Sequence, residues 1–465
     1  MFLMENSSAS DRIVKDLRFQ VAAATPGTRL PSVRVLMTQH QASPVTIAAA
    51  IRRMVAEGLV ETRSGQGTYV ASRPSVSDDS PPDMSWQTVA LGPRRFGEEE
   101  MRALLALPSS GAIPLSGGYL DADLQPAAAL GATLARVARQ PAAWQRGPVE
   151  GREDLRAWFA RPLGPVQPSD VVICPGGQAA LSSTLRALTS PGDTLLVESP
   201  TYLGALAAAR AAGLRVVPVP ADHDGVRPEH LAAAFRHTGA RLFYCQPLFA
   251  NPSGATLSPE RRPEVLAAVR EAGAFLIEDD YARDLVIDGD PPPPLAASDP
   301  HGHVIYLRSL TKSAAPGLRV AALSARGPAG ARLRASRLLD DFFVAGPLQQ
   351  AAVEFVTSPA WTRHLRALQS SLRARRDALL TALHRHVPSL VPPSIPRGGL
   401  HLWTPLPPGT DDTAVTREAA AQGVVVFPGS PWHAAEPPAP FLRLTYAATP
   451  PDTMDEAIRR LAAAL

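Results

Sequence analysis

The chain has 465 residues, 45% of them hydrophobic and 6% aromatic, with a net charge of +3; at about 150 residues per domain it can form two or three domains with separate cores. Its only cysteines, Cys174 and Cys245, exclude a disulfide framework and a cysteine-rich zinc site and make a reducing cytoplasm the expected location. The opening MFLMENSSAS lacks the basic start and apolar run of a signal peptide, and no later stretch reads as a membrane span.

From Arg12 to Ala24 apolar residues recur at helical spacing (Ile13, Leu17, Val21), and Thr-Pro-Gly at 25–27 ends the run. Ser32 is the expected N-cap of a second helix reaching about Gln39. A third helix is predicted from Pro44 to Glu57, with Ile47, Ile51, Met54 and Val55 turned inward. Gly58 ends it, and LVETRSGQGTYVA reads as two short strands around a Gly-Gln-Gly turn. Three helices and a hairpin describe a winged helix-turn-helix. Residues 1–74 carry nine Arg or Lys against five Asp or Glu, so the positive excess sits where a nucleic-acid surface would want it.

The polar, proline-rich RPSVSDDSPPD at 73–83 reads as a linker. The expected division is 1–72, a linker at 73–85, and a body from 86 to 465. In that body β-branched runs (VVIC, TLLVE, LRVVPV, LFYC, AFLIE, VIYL) alternate with Ala- and Leu-rich helical stretches, the pattern of a mainly parallel α/β sheet. Ligands of such sheets bind at the carboxyl ends of strands, so polar residues there are candidates. Gly176-Gly177-Gln178 opens a helix after VVIC and offers backbone N–H groups to a phosphate. Tyr202 follows TLLVE and can stack on a planar ring. Asn251 lies in a turn before a proline, and Asp279 stands just past a strand with Tyr281 two residues on.

Lysine occurs twice, at Lys15 and in SLTKSAAPGLR at Lys312. Arginine serves for solubility and ion pairs, but its guanidinium cannot lose a proton near neutrality and attack a carbonyl, whereas a lysine can. A lysine nucleophile, an acid on a ring nitrogen and a phosphate anchor are what a pyridoxal cofactor demands. The histidines of HGH at 301–303 and HRH at 384–386 stand two apart without carboxylate or cysteine partners, so no metal site is expected.

From about Trp86 onward the chain resembles the fold-type I aminotransferases that use pyridoxal 5′-phosphate, through GGQAAL, ESPTY, NPSG, EDDY, SLTKSAAPGLR, FPGS and FLRLTYA in that order. The resemblance implies a large, mainly parallel-sheet domain and a smaller C-terminal α+β subdomain. It implies that Lys312 forms the internal aldimine, that Asp279 pairs with the ring nitrogen and that Asn251 and Tyr281 bind the ring hydroxyl. It assigns the phosphate to Gly177, Gln178, Ser309, Thr311 and Arg319 and a substrate or effector carboxylate to Arg443. Arg146 stands where the family usually has a tyrosine reaching the partner subunit's phosphate. The family is dimeric, so a homodimer is expected.

Residues 12–71 resemble the winged helix-turn-helix of GntR regulators, through PGTRLPSVR and EGLVETRSGQGTYV. The resemblance implies contacts to double-stranded DNA from Arg34, Ser43, Thr46 and Arg53 and, in the wing, Arg63 and Gly67. Pro44 replaces the basic residue that many such helices carry. The two together resemble the MocR subfamily, implying a cytoplasmic regulator that answers to pyridoxal phosphate or an amino compound. The alternative is a working aminotransferase with a secondary DNA module.

Overall fold

The computed structural model describes residues 9–71, 83–91, 99–107, 109 and 111–465. The predicted linker falls mostly outside these; of its residues only Asp83, Met84 and Ser85 are described, and a helix starts at Ser85. The chain divides into two units, 1–92 and 93–465.

In the first unit, α1 (Ala9–Ala23), α2 (Val33–His40) and α3 (Pro44–Ala56) precede an antiparallel hairpin of β1 (Val60–Arg63) and β2 (Gly67–Val70). Ser32 and Ser43 cap α2 and α3 by accepting from the backbone N–H three residues on. Ile13, Leu17, Leu36, Ile47, Ile51, Met54, Val60 and Val70 form one core. Val55, expected inward, is instead exposed. It lies about a quarter turn from the stripe centred on Ile47 and Met54, because helical phase advances roughly 100° per residue.

In the second unit, β3 (Ile113–Pro114) precedes an eight-stranded sheet made from β4 (Val171–Cys174), β5 (Thr194–Ser199), β6 (Arg215–Asp222), β7 (Gly225–Val226), β8 (Leu242–Cys245), β9 (Phe275–Asp279), β10 (Val304–Ser309) and β11 (Ala321–Ser324). Their order across the sheet is β4-β11-β10-β9-β8-β5-β6-β7. Strands β10, β9, β8, β5 and β6 run parallel. β11 is antiparallel to both β10 and β4, so β4 points the same way as β10. The carboxyl ends of β4, β5, β8, β9 and β10 therefore share one edge of the sheet. Successive residues along these strands enter two different cores, Leu196 and Phe243 on one side, Leu195 and Tyr244 on the other, as expected for a sheet buried on both faces.

Toward the C-terminus, β12 (His401–Pro405), β14 (Phe427–Pro428) and β15 (Phe441–Thr445) form an antiparallel sheet, while β13 (Val424–Val425) pairs with β3. The long helix Pro359–His386 and the helix Met454–Ala462 cover its core. Among the described residues no helix is long and apolar enough to cross a membrane.

Candidate functional site

The shared strand edge assembles one cavity, and all ten residues expected to hold a pyridoxal cofactor line it. Nine of them stand at or just past the end of a strand: Gly177 and Gln178 open the helix after β4, Tyr202 follows β5, Asn251 follows β8, Asp279 ends β9 with Tyr281 beyond it, and Ser309 ends β10 with Thr311 and Lys312 beyond it. Arg319 enters in a left-handed conformation (φ 51°) that returns the chain into β11.

Lys312 Nζ donates to Gly118 O at 2.7 Å and lies 3.6 Å from the centroid of the Tyr119 ring. Burial, with Arg443 and Arg319 adding positive charge, lowers its pKa to about 7 despite the opposing pull of Asp279. Near neutrality a large share of this amine is therefore unprotonated and nucleophilic.

Asp279 is held by Tyr244 Oη at 2.6 Å and Gln246 Nε2 at 3.0 Å, both donating to Oδ2; neither uses Oδ1. Burial pushes this carboxyl up to about 6, and the two donors oppose that rise. Gln246 also accepts from the Asn251 backbone N–H at 2.9 Å. Its own backbone N–H donates to Glu198 Oε1 at 2.8 Å, a carboxyl that burial raises to about 8.

At the opposite end, Gly176 (φ 102°) precedes the helix Gly177–Leu188, and a Cβ at Gly176 would lie 2.3 Å from Arg319 Nη2. Only glycine tolerates both that backbone conformation and that approach. Arg319 Nη2 donates to Pro175 O at 2.8 Å. Ser309 Oγ donates to Thr311 Oγ1 at 2.9 Å. A guanidinium, two hydroxyls and a helix N-terminus thus converge where an anion gains most.

A pyridoxal phosphate fits this donor set. The missing side chain at Gly176 lets Arg319 come against the amino end of the helix where a phosphate would sit, and two buried polar atoms of cavity residues, Gln178 Oε1 and His401 Nδ1, have no hydrogen-bond partner among the described residues and can accept from a ligand's donor groups. Burial also holds His401 neutral.

Two expected residues sit differently. Tyr281 Oη donates to Phe249 O at 2.7 Å. Arg443 does not line the cavity: it is fully buried, lies 4.4 Å from the Trp432 ring and donates to Asn251 Oδ1 at 3.2 Å and to Ser116 O. Arg146 is exposed in the loop after the turn Pro141–Trp144.

Sequence reasoning missed Gly118, Tyr119, Tyr244 and Gln246. The available signals were a Gly-Gly-Tyr just after β3 and a tyrosine inside the buried run LFYC, whose hydroxyl must find a partner.

In the N-terminal unit, Ser43 Oγ accepts from Thr46 N at 3.2 Å and shares a 2.9 Å hydrogen bond with Thr46 Oγ1. Arg34 and Ser43 are exposed at the amino ends of α2 and α3. Arg53 is paired with Asp11 at 2.7 Å and Glu57 at 3.3 Å. In the hairpin Arg63 pairs with Glu61 at 2.6 Å and lies over the Tyr69 ring, and Gly67 has φ 121° with Arg29 against it.

Residues 115–461 match the aminotransferase class I and II family, and residues 9–70 match the bacterial regulatory proteins of the gntR family. The HTH-type transcriptional regulator YdfD of Bacillus subtilis is 30% identical over 90% of this chain and 88% of its own. The probable rhizopine catabolism regulatory protein MocR of Rhizobium meliloti is 27% identical over 97% and 93%. Among solved structures, LysN, the α-aminoadipate aminotransferase of Thermus thermophilus, superposes with a TM-score of 0.73 at 31% identity, over 80% of this chain and 97% of that one; it was solved with N-(5′-phosphopyridoxyl)-L-leucine.

Proposed function

Since the chain belongs to the class I and II aminotransferase family and carries a gntR-family module ahead of it, the MocR arrangement, we propose a DNA-binding transcriptional regulator whose larger unit binds pyridoxal 5′-phosphate and answers to it or to an amino compound. One observation carries this reading: a complete helix-turn-helix with its hairpin and a cavity gathered around Lys312, Asp279 and Arg319 occur in the same chain.

When bound, pyridoxal phosphate supplies an aldehyde carbon open to amines and a ring that withdraws electrons. Lys312 provides the amine. Asp279 holds a proton on the ring nitrogen, steadied by Tyr244 and Gln246. Gly177, Gln178, Ser309, Thr311 and Arg319 bind the phosphate, Tyr202 stacks on the ring, and Asn251 and Tyr281 bind its hydroxyl. Arg443 takes a ligand carboxylate once its contacts to Asn251 and Ser116 are exchanged. For the ligand to regulate, it must bind two arrangements of the protein with different affinity; a homodimer in the cytoplasm is the form in which we expect them.

The test is binding to DNA from upstream of the protein's own gene, at fixed salt with competitor DNA, with and without pyridoxal phosphate. Selective binding that shifts with the cofactor supports the regulator; selective binding indifferent to the cofactor leaves the DNA-binding half standing and overturns the cofactor response. The second reading, a working aminotransferase, is supported by the full set of expected cofactor residues lining one cavity with Lys312 and by the neighbouring Arg443. Amino-acid-dependent turnover without selective DNA binding would establish it instead.

A further inference from the structure

The face of α3 opposite the core differs from what a hydrogen-bonding reader would show. Ile47, Ala50, Ile51 and Met54 are its buried residues. At about 3.6 residues per turn, the line opposite them runs through Val45, Ala49, Arg52 and Ala56, with Ala48 and Arg53 roughly 70° to either side of it and Ala48 and Ala49 half-buried. Val45 is 74% exposed, and Pro44 and Arg52 are exposed too. Thr46 and Pro44 lie farther round, about a quarter turn or more from that line on opposite sides. Arg53 is held by Asp11 and Glu57, whereas Arg52 has no ion pair among the described residues.

A helix in this fold enters the major groove by its N-terminal residues. The first two turns of α3 present methyl and methylene groups from Pro44, Val45, Ala48 and Ala49. The only hydroxyls near them, Ser43 and Thr46, are bonded to each other as the cap. No Asn, Gln, Lys or carboxylate stands on that stretch. In the major groove the one apolar feature that separates bases is the C5 methyl of thymine. A face of small apolar side chains also lets the helix backbone approach the groove floor closely.

We infer that α3 reads its operator through thymine methyls packed against Val45 and Ala49, with Arg52 as the single polar anchor, bidentate to a guanine one to two helical turns away. The operator half-site is therefore thymine-rich where the amino end of α3 docks. Arg34 positions the helix on phosphate and carries no base preference. This rests on the regulator reading and adds to it the class of sequence recognised.

The experiment selects duplexes from a random library with the full-length protein at fixed salt. Each thymine of the enriched site is then replaced by deoxyuracil, which removes only the methyl. For the native protein the expected loss is roughly fourfold in affinity per contacted methyl, the factor that burying one such group supplies. Val45→Ala should bind the thymine duplex more weakly and lose the distinction between thymine and uracil at one position. Arg52→Ala should relax the preference at one guanine and keep the uracil effect. Val45 and Arg52 are exposed, so both variants should fold, which far-UV circular dichroism checks. An enriched site that binds equally well with every thymine replaced overturns this inference and leaves the regulator standing. Failure to enrich any sequence overturns both.

Discussion

Tyr244 and Asp279 are joined by a 2.6 Å hydrogen bond from the phenol to carboxylate Oδ2, and Gln246 reaches the same oxygen. Two donors on one oxygen fix the plane of the carboxylate and leave its other oxygen to face the cavity ligand. Tyr244→Phe removes one donor and keeps the ring's packing. A hydrogen bond to a charged group is worth enough that affinity for pyridoxal phosphate should fall roughly tenfold. Titration of cofactor absorbance measures it, and an unchanged affinity would show that Gln246 alone orients Asp279.

Uptake of pyridoxal phosphate should depend on pH through Lys312. Its pKa in the folded chain is lowered to about 7, and only the neutral amine attacks. The uptake rate should rise through pH 7 and level off above it, about three units below where an ordinary lysine would do so. Stopped-flow absorbance at constant ionic strength checks this. Lys312→Arg should show no covalent retention of the cofactor after borohydride reduction at any pH in the range.

Gly176→Ala tests the anion cradle. The added Cβ meets the Arg319 guanidinium on a backbone with φ 102°, a strain of about 1–3 kcal/mol. The melting temperature should fall, and phosphate-bearing ligands should bind more weakly in step with the displacement of Arg319. Gly177→Ala is the matched control: its Cβ meets Leu307 Cδ2 at 3.4 Å without positive φ, and its effect should be smaller on both measures.

Arg53→Ala separates structure from recognition in the N-terminal unit. Its exposed partners Asp11 and Glu57 contribute little through solvent-screened pairs, so the melting temperature should hardly move. Because Arg53 lies off the outward line of α3, sequence preference in a competition binding assay should stay as in the native chain.

Most of the cavity residues were legible because they obey a simple rule: they stand at the last position of an apolar strand or within six positions past it, and parallel strands carry such positions to one edge; Arg319, ten positions beyond β10, was legible only through the SLTKSAAPGLR stretch. Gly118 was not legible. It meets Lys312 across 194 residues of chain, from a segment with no periodic pattern to register it. Strand β11 was missed for a related reason, since three small residues and one leucine at 321–324 give no alternation and its antiparallel direction follows only from the tight return at Arg319. Arg52 and Arg53 are neighbours of the same type, and composition cannot tell which one faces outward. The phase of the buried residues can, once Val55 is seen to lie outside the stripe, and the ion pair to Asp11, 42 residues away, accounts for the other.

The segment from Ser116 to Tyr119 touches the Lys312 amine and the Arg443 guanidinium, the two groups for which different ligands are proposed. Gly118 O accepts from Lys312 Nζ, and two residues earlier Ser116 O accepts from Arg443. A cofactor that claims Lys312 and a carboxylate that claims Arg443 therefore displace the same short stretch of backbone. Whichever arrives first pays for moving it, and the second finds it already moved. The two ligands should accordingly be positively cooperative, and thermodynamics requires the same factor in both directions: whatever a non-reacting carboxylate does to cofactor affinity, the cofactor does to carboxylate affinity.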